Sequence, residues 1–179
     1  MMGGEVGVDS TPGEGSTFWL TARLCKGTGG AVAAPDPKPV ETAEVRLRRD
    51  HPGARILLTE DDPANQEVTL ELLHDVGLAA DLAVNGRETV RLAERTDYAV
   101  ILMDVQMPVM DGLEATQAIR ALPGRGTTPI IAMTANAFDT DRVACLAAGM
   151  DDFITKPLMP EQLYATLVKW LDRSSQAGR

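Results

Sequence analysis

The chain has few of the residues that build disulfide frameworks, zinc sites and nucleic-acid contacts. It contains two cysteines and two histidines among 179 residues, and Cys25 and Cys145 match neither a disulfide framework nor a zinc-ligand spacing. Lys and Arg number 17 against 26 Asp and Glu, which gives a formal net charge of -9. This balance argues against non-specific binding to nucleic acid, which depends on Lys and Arg contacts to phosphate. The cysteine content is simplest to explain in a reducing, cytoplasmic compartment.

Long apolar runs are also missing from the sequence. No stretch approaches the roughly 20 apolar residues that span a bilayer, and residues 1–5 lack the basic and apolar regions of a signal peptide. Hydrophobic residues nevertheless make up 44% of the chain, which is enough for a packed core. We therefore expect a globular cytoplasmic protein without membrane contact of its own, so that any membrane anchor belongs to a longer parent chain.

The first 53 residues divide into a strand-like segment and a segment rich in Gly, Ala and Pro. Apolar and polar residues alternate in STFWLTARL, as in a half-buried strand, and TPGEG at 11–15 has turn composition. Residues 1–24 are therefore predicted to form a β-hairpin, which is marginally stable without a larger sheet. Residues 25–53 show no periodic apolar face and are predicted to be a flexible linker.

From residue 54 the sequence alternates between short apolar strands and helix-like segments. This alternation is typical of a parallel sheet with helices on both faces. The strands are predicted at 55–59, 79–84, 98–103, 129–135 and 152–155, and the helices at 63–77, 86–96, 112–122, 139–149 and 160–171. The predicted fold is an α/β domain over 54–173, built on a doubly wound five-stranded parallel sheet and followed by a disordered tail at 174–179.

Acidic, hydroxyl and ammonium side chains follow four of the five predicted strands. Ligands of doubly wound sheets bind beyond the carboxyl ends of the strands, so we expect these side chains to meet at one edge. Asp104 ends a strand that looks buried on both faces, where an uncompensated charge is costly. A divalent cation or Lys156 would relieve the repulsion between the carboxylates. The residues are Glu60, Asp61, Asp62, Asp104, Thr134 and Lys156.

This set of side chains is suited to phosphoryl transfer. Oxygen ligands without His or Cys favour Mg²⁺, which keeps several waters and takes one or two carboxylates. Phosphoryl transfer needs mainly positioning and charge neutralisation from the protein. Asp104 would act as the nucleophile and form an acyl phosphate, while Lys156 and the Thr134 hydroxyl would hold phosphoryl oxygens.

Four motifs in this part of the chain resemble the receiver domain of two-component response regulators. They are LLTEDDPANQ, ILMDVQMPVMDG, IIAMTANAF and DDFITKP, in the family's order and spacing, and the resemblance covers residues 54 to 171. It implies a flavodoxin-like sheet with strand order 2-1-3-4-5 and Mg²⁺ as the cofactor. It also implies a phospho-histidine as the phosphoryl donor and a histidine-phosphotransfer domain as the acceptor further along the relay.

The resemblance assigns the phosphoacceptor and the metal ligands by position. Asp104 corresponds to the phosphoacceptor and also to a metal ligand. Glu60 and Asp61 correspond to the acidic pair, with Asp61 as the direct ligand. The backbone carbonyl of Gln106 corresponds to a further ligand.

The resemblance also assigns a switch and two residues that set the lifetime of the acyl phosphate. Thr134 corresponds to the switch hydroxyl, Lys156 to the phosphate-binding lysine and Phe153 to the switch aromatic. Gln106 and Asn136 stand where the family's residues flank the path of the attacking water. Changes at these two positions are expected to alter the rate of hydrolysis.

The N-terminal segment resembles the last hairpin of the histidine-kinase ATPase domain, with residues 13–16 in the place of its final glycine-rich box. The sequence contains neither the phosphorylatable His motif nor the Asn-bearing ATP motif of such kinases. We therefore expect the chain to be the C-terminal piece of a hybrid histidine kinase and not a complete kinase. Residues 1–52 are expected to be dispensable for the receiver chemistry, and the chain is not expected to bind ATP.

Other interpretations of the same residues stay open. An aspartate-nucleophile phosphatase of the haloacid dehalogenase type needs a second Asp two residues after the nucleophile, where this chain has Gln106. A binding module with the receiver fold but without phosphorylation is the other alternative, and the complete set of acids, Thr and Lys counts against it. Asp111 is expected to cap the following helix, and Asp62 is expected to be a loop residue or helix cap, with contact to the metal as the alternative. Thr59 stands where the family usually has an apolar residue.

Overall fold

The computed structural model describes residues 5–11, 15–21, 41–135 and 139–177, in two compact units, 1–40 and 41–179. The smaller unit contains two strands, β1 (Val6–Thr11) and β2 (Gly15–Leu20). The elements of the larger unit are α1 (Ala43–Asp50), β3 (Arg55–Thr59), α2 (Pro63–Asp75), β4 (Ala79–Ala83), α3 (Gly86–Arg95), β5 (Val100–Asp104), α4 (Gly112–Ala121), β6 (Ile130–Thr134), α5 (Asp139–Ala148), β7 (Asp152–Thr155) and α6 (Pro160–Ala177).

The smaller unit is an antiparallel hairpin, as the sequence predicts. Val6 pairs with Leu20 and Val8 with Phe18, so these four side chains share one face of the two-stranded sheet. All four are exposed, Val6 at 83% and Phe18 at 81%. The hairpin therefore presents an apolar face that the described residues leave uncovered.

The larger unit contains a five-stranded parallel sheet with the order β4-β3-β5-β6-β7. Numbered from the first strand of this unit, the order is 2-1-3-4-5, which confirms the predicted doubly wound topology. Every residue of β5 and β6 is buried, because helices cover both faces of the sheet. The carboxyl ends of β3 and β5 lie side by side at the point where the winding reverses.

Two apolar clusters occupy the two faces of the sheet. Alternate strand residues contribute to opposite clusters, as the two-residue period of a strand requires. Ile56 and Leu58 of β3 pack with α1, α2 and α6 on one face, and Leu57 packs with α3, α4 and α5 on the other. The short apolar strands of the sequence are thus buried from both sides, which fixes the sheet edge that carries the candidate site.

Helix α1 is the main difference from the sequence analysis, which placed its residues in the linker at 25–53. Thr42 caps the helix by accepting a hydrogen bond from Val45 N at 3.4 Å. Leu47 is fully buried in the core with α2 and α6. The helix was missed because only one of its eight residues is buried, which produces no apolar period. The larger unit therefore begins near Glu41, while residues 25–40 lie outside the described residues.

Polar contacts also hold α1 against α6 and α2. The Asp172 carboxylate of α6 accepts from Arg46 at 2.6 Å and lies 2.8 Å from His51 Nε2. Arg48 Nε donates to the backbone oxygen of Asp75 at the end of α2, at 2.9 Å. These contacts join α1 to two other helices on the same face of the sheet.

Two helices of the larger unit also differ in detail from the prediction. Helix α6 continues to Ala177, so residues 174–177 are helical where a disordered tail was expected. In α2, Val68 is 54% exposed, while Thr69 and Leu73 face the core. The predicted apolar stripe was therefore wrong at Val68, because the buried face of the helix is rotated toward Thr69.

Candidate active site

Three carboxylates gather at the carboxyl edge of the sheet. Glu60 and Asp61 directly follow β3, and Asp104 is the last residue of the neighbouring strand β5. One carboxylate oxygen from each residue lies within 4.8 Å of the other two. Glu60 is 1% exposed and Asp104 is 5% exposed, whereas Asp61 faces solvent. Of the six residues that the sequence predicted to converge, these three carboxylates do so.

Lys156 compensates the two buried carboxylates. Its Nζ lies 2.6 Å from Asp104 Oδ2 and 2.6 Å from Glu60 Oε2. Burial works to lower the pKa of Lys156, but the contacts with Asp104 and Glu60 outweigh it and raise the pKa above its ordinary value. Lys156 is therefore in its ammonium form. Its positive charge explains why the Asp104 carboxylate can lie at the end of a buried strand.

The first turn of α2 holds Glu60 from the side opposite Lys156. Asn65 Nδ2 donates to Glu60 Oε1 at 3.1 Å, and Gln66 Nε2 donates to the Glu60 backbone oxygen at 2.8 Å. Asp62 caps the same turn by accepting from Ala64 N and Asn65 N at 3.0 Å each. The cap prediction for Asp62 is confirmed, while the contacts of Asn65 and Gln66 were not foreseen.

The donor set of the cluster fits a hard divalent cation. Glu60 Oε2 is buried and lies 2.6 Å from the Lys156 ammonium. Among the described residues, this one ammonium faces three carboxylates, and the remaining negative charge favours a divalent cation beside them. Three carboxylates without His or Cys suit Mg²⁺. The residues present therefore fit the predicted cofactor.

The loop between β5 and α4 is closely packed against Asp104. The backbone N–H of Gln106 donates to Asp104 Oδ1 at 3.1 Å, which places Gln106 beside the cluster; the role of its carbonyl as a metal ligand stays a prediction. A Cβ at Gly112 would lie 2.2 Å from the Asp104 backbone oxygen, so only glycine fits there. Asp111 forms a capping box with Glu114 at the start of α4, which confirms its structural role.

The same loop contains a strained turn that the sequence analysis did not find. Val109 has a φ of 74°, in the left-handed region that β-branched residues avoid. Met110 N donates to the oxygen of Pro108 at 2.9 Å. A bond over three residues around a positive φ is the pattern of the rare γ-turn. The turn lies five residues after Asp104.

The predicted switch residues lie beyond the cluster, on β6 and β7. Thr134 ends β6 and is 7% exposed, and its backbone oxygen accepts from Lys156 N at 2.8 Å. Phe153 on β7 is half-buried, and Arg142 Cζ lies 4.9 Å from the centre of its ring. Partial exposure of Phe153 is compatible with a switch, and the roles of both residues stay predictions. Asn136 lies outside the described residues.

Thr59 makes a buried contact under the acidic loop. Its hydroxyl lies 3.0 Å from the Thr89 hydroxyl of α3, and both residues are fully buried. Thr89 also donates to the backbone oxygen of Asn85 at 2.9 Å. The polar residue at position 59 thus has a hydrogen-bonding partner, which explains how the sheet tolerates it where an apolar residue was expected.

Comparison with known protein families identifies the site-bearing unit. The sequence profile of the response regulator receiver domain matches residues 56–168, which includes every residue of the acidic cluster and Lys156. The chain belongs to the response regulator receiver family. Helix α1 lies outside the matched range.

The similar proteins are mostly longer than this chain. Two-component system protein A of Emericella nidulans is 42% identical over 183 residues, covering 95% of this chain and 26% of that protein. The signal transduction histidine-protein kinase BarA of Escherichia coli is 36% identical over 124 residues, covering 69% of this chain and 14% of BarA. The chain thus spans about a quarter or less of the length of these two relatives.

Solved receiver structures have the same fold. The receiver domain of sensor histidine kinase PA1611 from Pseudomonas aeruginosa is 45% identical, with a TM-score of 0.64, and covers 67% of this chain and 98% of that chain. It holds a magnesium ion in its active site cleft. The receiver domain of Ssk1 from Saccharomyces cerevisiae was solved with the phosphotransfer protein Ypd1; this match is 29% identical with a TM-score of 0.63, covering 66% of this chain and 89% of that chain.

The larger unit of this chain is thus a receiver domain of the two-component type. Its four motifs, its strand order and its carboxylate cluster agree with the family assignment. Within the part of the chain that the structure describes, no helix has the length and apolar character needed to cross a membrane.

Proposed function

We propose that Asp104 accepts a phosphoryl group from a phospho-histidine. One Asp104 oxygen forms the new bond to phosphorus while the P–N bond of the donor breaks, and the electron pair of that bond returns to the imidazole nitrogen. The observation that carries the proposal is the 2.6 Å contact of Lys156 with Asp104 in a cluster that also contains Glu60 and Asp61. The cluster thus contains a nucleophilic carboxylate, an ammonium and two further acids suited to hold a metal ion, which are the groups that positioning and charge neutralisation in phosphoryl transfer require.

Each residue of the cluster then has a defined task. Glu60, Asp61 and Asp104, with the carbonyl of Gln106, would hold Mg²⁺, which when bound neutralises charge between the carboxylates and the phosphoryl oxygens. Lys156 leaves the carboxylates and contacts a phosphoryl oxygen, where its positive charge is retained. The proposed ligands lie on the strand ends, so the sheet holds them in position without a large rearrangement.

Thr134 and Phe153 are proposed to carry the switch. The Thr134 hydroxyl would contact a phosphoryl oxygen, and Phe153 would change its position in response. Gln106 and Asn136 are proposed to flank the path of the water that hydrolyses the acyl phosphate. The half-buried state of Phe153 supports this proposal, because a side chain at the edge of the core has room to move.

A histidine-phosphotransfer domain is the proposed partner in the relay. A cavity of about 190 Å³ beside the cluster is lined by Asn65, Val68 and Leu158, among others. Val68 is 54% exposed and Met159, close in sequence to Leu158, is 56% exposed. The cavity is also lined by Lys156, which contacts Asp104. Apolar residues so close to the site suit a partner that must bring a histidine to this carboxylate, and the Ypd1–Ssk1 complex shows that one related receiver binds such a protein.

The hairpin is proposed to be the end of a kinase ATPase domain in a hybrid kinase. Its uncovered face, formed by Val6, Val8, Phe18 and Leu20, would pack on the rest of that domain. A lone hairpin is marginal in water, so the apolar face favours a larger sheet as its natural setting. Phosphoryl donation would then come from the kinase core in the same chain or in a partner chain.

Labelling with a small phosphodonor tests the proposed function. The purified chain should gain one acid-stable, base-labile phosphoryl group from acetyl phosphate, and only when Mg²⁺ is present. Asp104→Asn should abolish the labelling, whereas Asp111→Asn, which preserves a helix cap in the same loop, should not. Labelling of Asp104→Asn at the wild-type stoichiometry would disprove the assignment.

A further inference from the structure

We propose that Asn65 is a positioning residue that acts through Glu60 and sets the affinity of the site for Mg²⁺. This inference rests on the proposed function, because it concerns the same carboxylate cluster. Asn65 lies in the first turn of α2 and is not a member of the cluster. Its Nδ2 donates to Glu60 Oε1 at 3.1 Å, so it reaches the site through one carboxylate only.

The hydrogen bond from Asn65 fixes the direction of the Glu60 carboxylate. A carboxylate is planar, so holding Oε1 determines where Oε2 points. Glu60 Oε2 is the buried oxygen that faces Lys156. Glu60 is 1% exposed, whereas Asn65 lies at the surface beside it. A fixed amide donor holds the carboxylate in one direction, which mobile water in its place would not do.

The first turn of α2 is built to hold this contact. Asp62 Oδ1 accepts from Asn65 N at 3.0 Å and fixes the backbone that carries the amide. Gln66 Nε2 donates to the Glu60 backbone oxygen at 2.8 Å, so the main chain and the side chain of Glu60 are both held by α2. Donors that orient metal ligands in this way tune metal affinity strongly.

Asn65 gains importance during the reaction. In the structure, Glu60 is contacted by Asn65 on one oxygen and by Lys156 on the other. Lys156 is shared with Asp104 and is proposed to move to a phosphoryl oxygen. Among the described residues, Asn65 is then the side-chain donor that stays on Glu60, and it keeps the carboxylate aimed at the cluster after the ammonium has left.

Two substitutions of Asn65 separate its effect on the orientation of Glu60 from the effect of adding a negative charge to the site. Asn65→Ala removes the donor and should weaken Mg²⁺ binding about tenfold, the lower end of the range for partners that orient metal ligands. Asn65→Asp keeps the size of the side chain but places a carboxylate oxygen against Glu60 Oε1. Repulsion should displace Glu60 and weaken Mg²⁺ binding as well, whereas a simple effect of added negative charge would tighten it.

The measurement is the dissociation constant for Mg²⁺ by titration calorimetry, without any phosphodonor, on the full chain. Gln117→Ala on α4 is the matched control, because Gln117 is an exposed helical amide whose side chain forms no hydrogen bond with the described residues. The Mg²⁺ affinity of this variant should equal that of the wild type. Thermal melts in chelator establish that each variant is folded, and if Asn65→Ala is not, Asn65→Asp carries the test.

The outcomes separate this inference from the proposed function. A wild-type chain that binds no Mg²⁺ would overturn the proposed metal site and the role of Asn65 together. A wild-type chain that binds Mg²⁺, with Asn65→Ala within twofold of it or Asn65→Asp binding more tightly, would overturn the role of Asn65 alone. Weaker binding by both variants, with an unchanged control, would establish it.

Discussion

At the scale of single residues, Lys156 connects stability to function because it contacts two buried carboxylates at once. Lys156→Met removes the ammonium but keeps much of the side-chain volume, and leaves Glu60 and Asp104 without their cation. We expect the free energy of unfolding to fall by about 3 kcal/mol in chelator, the usual cost of breaking a buried ion pair. Chemical denaturation followed by circular dichroism measures this loss.

Added Mg²⁺ shows whether Lys156 stabilises the fold through its charge or through the packing of its side chain. If the cation site is the one described, Mg²⁺ should recover part of the stability lost in Lys156→Met, because the cluster again contains a cation. Lys169→Met is the matched control: that lysine is half exposed and pairs with Asp152, so a small loss that Mg²⁺ does not alter is expected. Equal Mg²⁺ responses in both variants would contradict the interpretation.

Asp152 gives a second prediction for a single residue, which concerns how the free energy of unfolding depends on pH. Burial works to raise its pKa, but Lys169, the Trp170 indole N–H and the Phe153 N–H outweigh this and lower it. A lowered folded-state pKa means that Asp152 stabilises the fold above its unfolded pKa of about 3.9 and loses this effect as the pH falls through the folded-state value. The stability difference between wild type and Asp152→Asn should therefore shrink on acidification.

Denaturation at a series of pH values, from neutral to below about 3, checks this prediction. Asp151→Asn is a less suitable control because Asp151 bonds Arg120 and Ile130 N. Glu71→Gln suits better, since Glu71 is exposed on α2 and forms no ion pair with the described residues. A stability difference for Asp152→Asn that stays constant over the whole range would refute the assignment of its contacts.

At the scale of elements, the loop after β5 combines tight packing with a strained residue. Val109 has a φ of 74°, which costs a β-branched residue of the order of 1–3 kcal/mol. Val109→Gly should relieve this strain, and after the entropic cost of glycine we expect the free energy of unfolding to rise by about 1 kcal/mol. Val109 is 71% exposed, so little burial is lost with the side chain.

Val84→Gly is the matched control for the strained loop. Val84 is also an exposed valine after a strand, but its φ is not positive, so glycine should destabilise the fold there. Thermal melts of the two variants should shift in opposite directions. A lowered melting temperature for Val109→Gly would mean that the turn is not strained in solution.

The elements that sequence patterns predicted well are those whose burial repeats along the chain. The buried strands and the order of the sheet followed from strand–helix alternation, and Asp62 and Asp111 followed from the residue preference of helix caps. Helix α1 was missed because Leu47 is its single buried residue. The Val109 turn was missed because its conformation depends on how the loop closes over Asp104, which no local pattern records.

The groups of the candidate site could also be predicted from the sequence, because the strand pattern determines which residues lie at the sheet edge. Parallel strands bring their carboxyl ends to one edge, so Glu60, Asp61, Asp104 and Lys156 could be placed together from the sequence alone. The bond from Asn65 to Glu60 could not, because it joins a helix to a loop through one side-chain rotamer. The sequence thus predicts which groups meet, and the structure adds what orients them.

At the scale of the whole molecule, the boundary of the receiver unit differs from the family profile, which starts at residue 56. The expectation that residues 1–52 are dispensable therefore needs revision for stability. A chain that starts at Glu41 keeps α1 and should melt like the full chain. A chain that starts at Gly53 loses the burial of Leu47 and the contacts of Arg46 and His51 with Asp172, and should melt at a lower temperature.

Single substitutions test the contribution of α1 to stability without truncating the chain. Leu47→Ala should cost roughly 2–3 kcal/mol of unfolding free energy, as for other buried leucines, while Val45→Ala on the same helix should cost little because Val45 is half exposed. Both truncated chains should still accept phosphate from acetyl phosphate, since the site residues all follow Arg55, and none of the chains should bind ATP. Identical melts for the chains starting at Glu41 and Gly53 would show that α1 does not belong to the folded unit, whereas loss of labelling only in the shorter one would show that α1 supports the site itself.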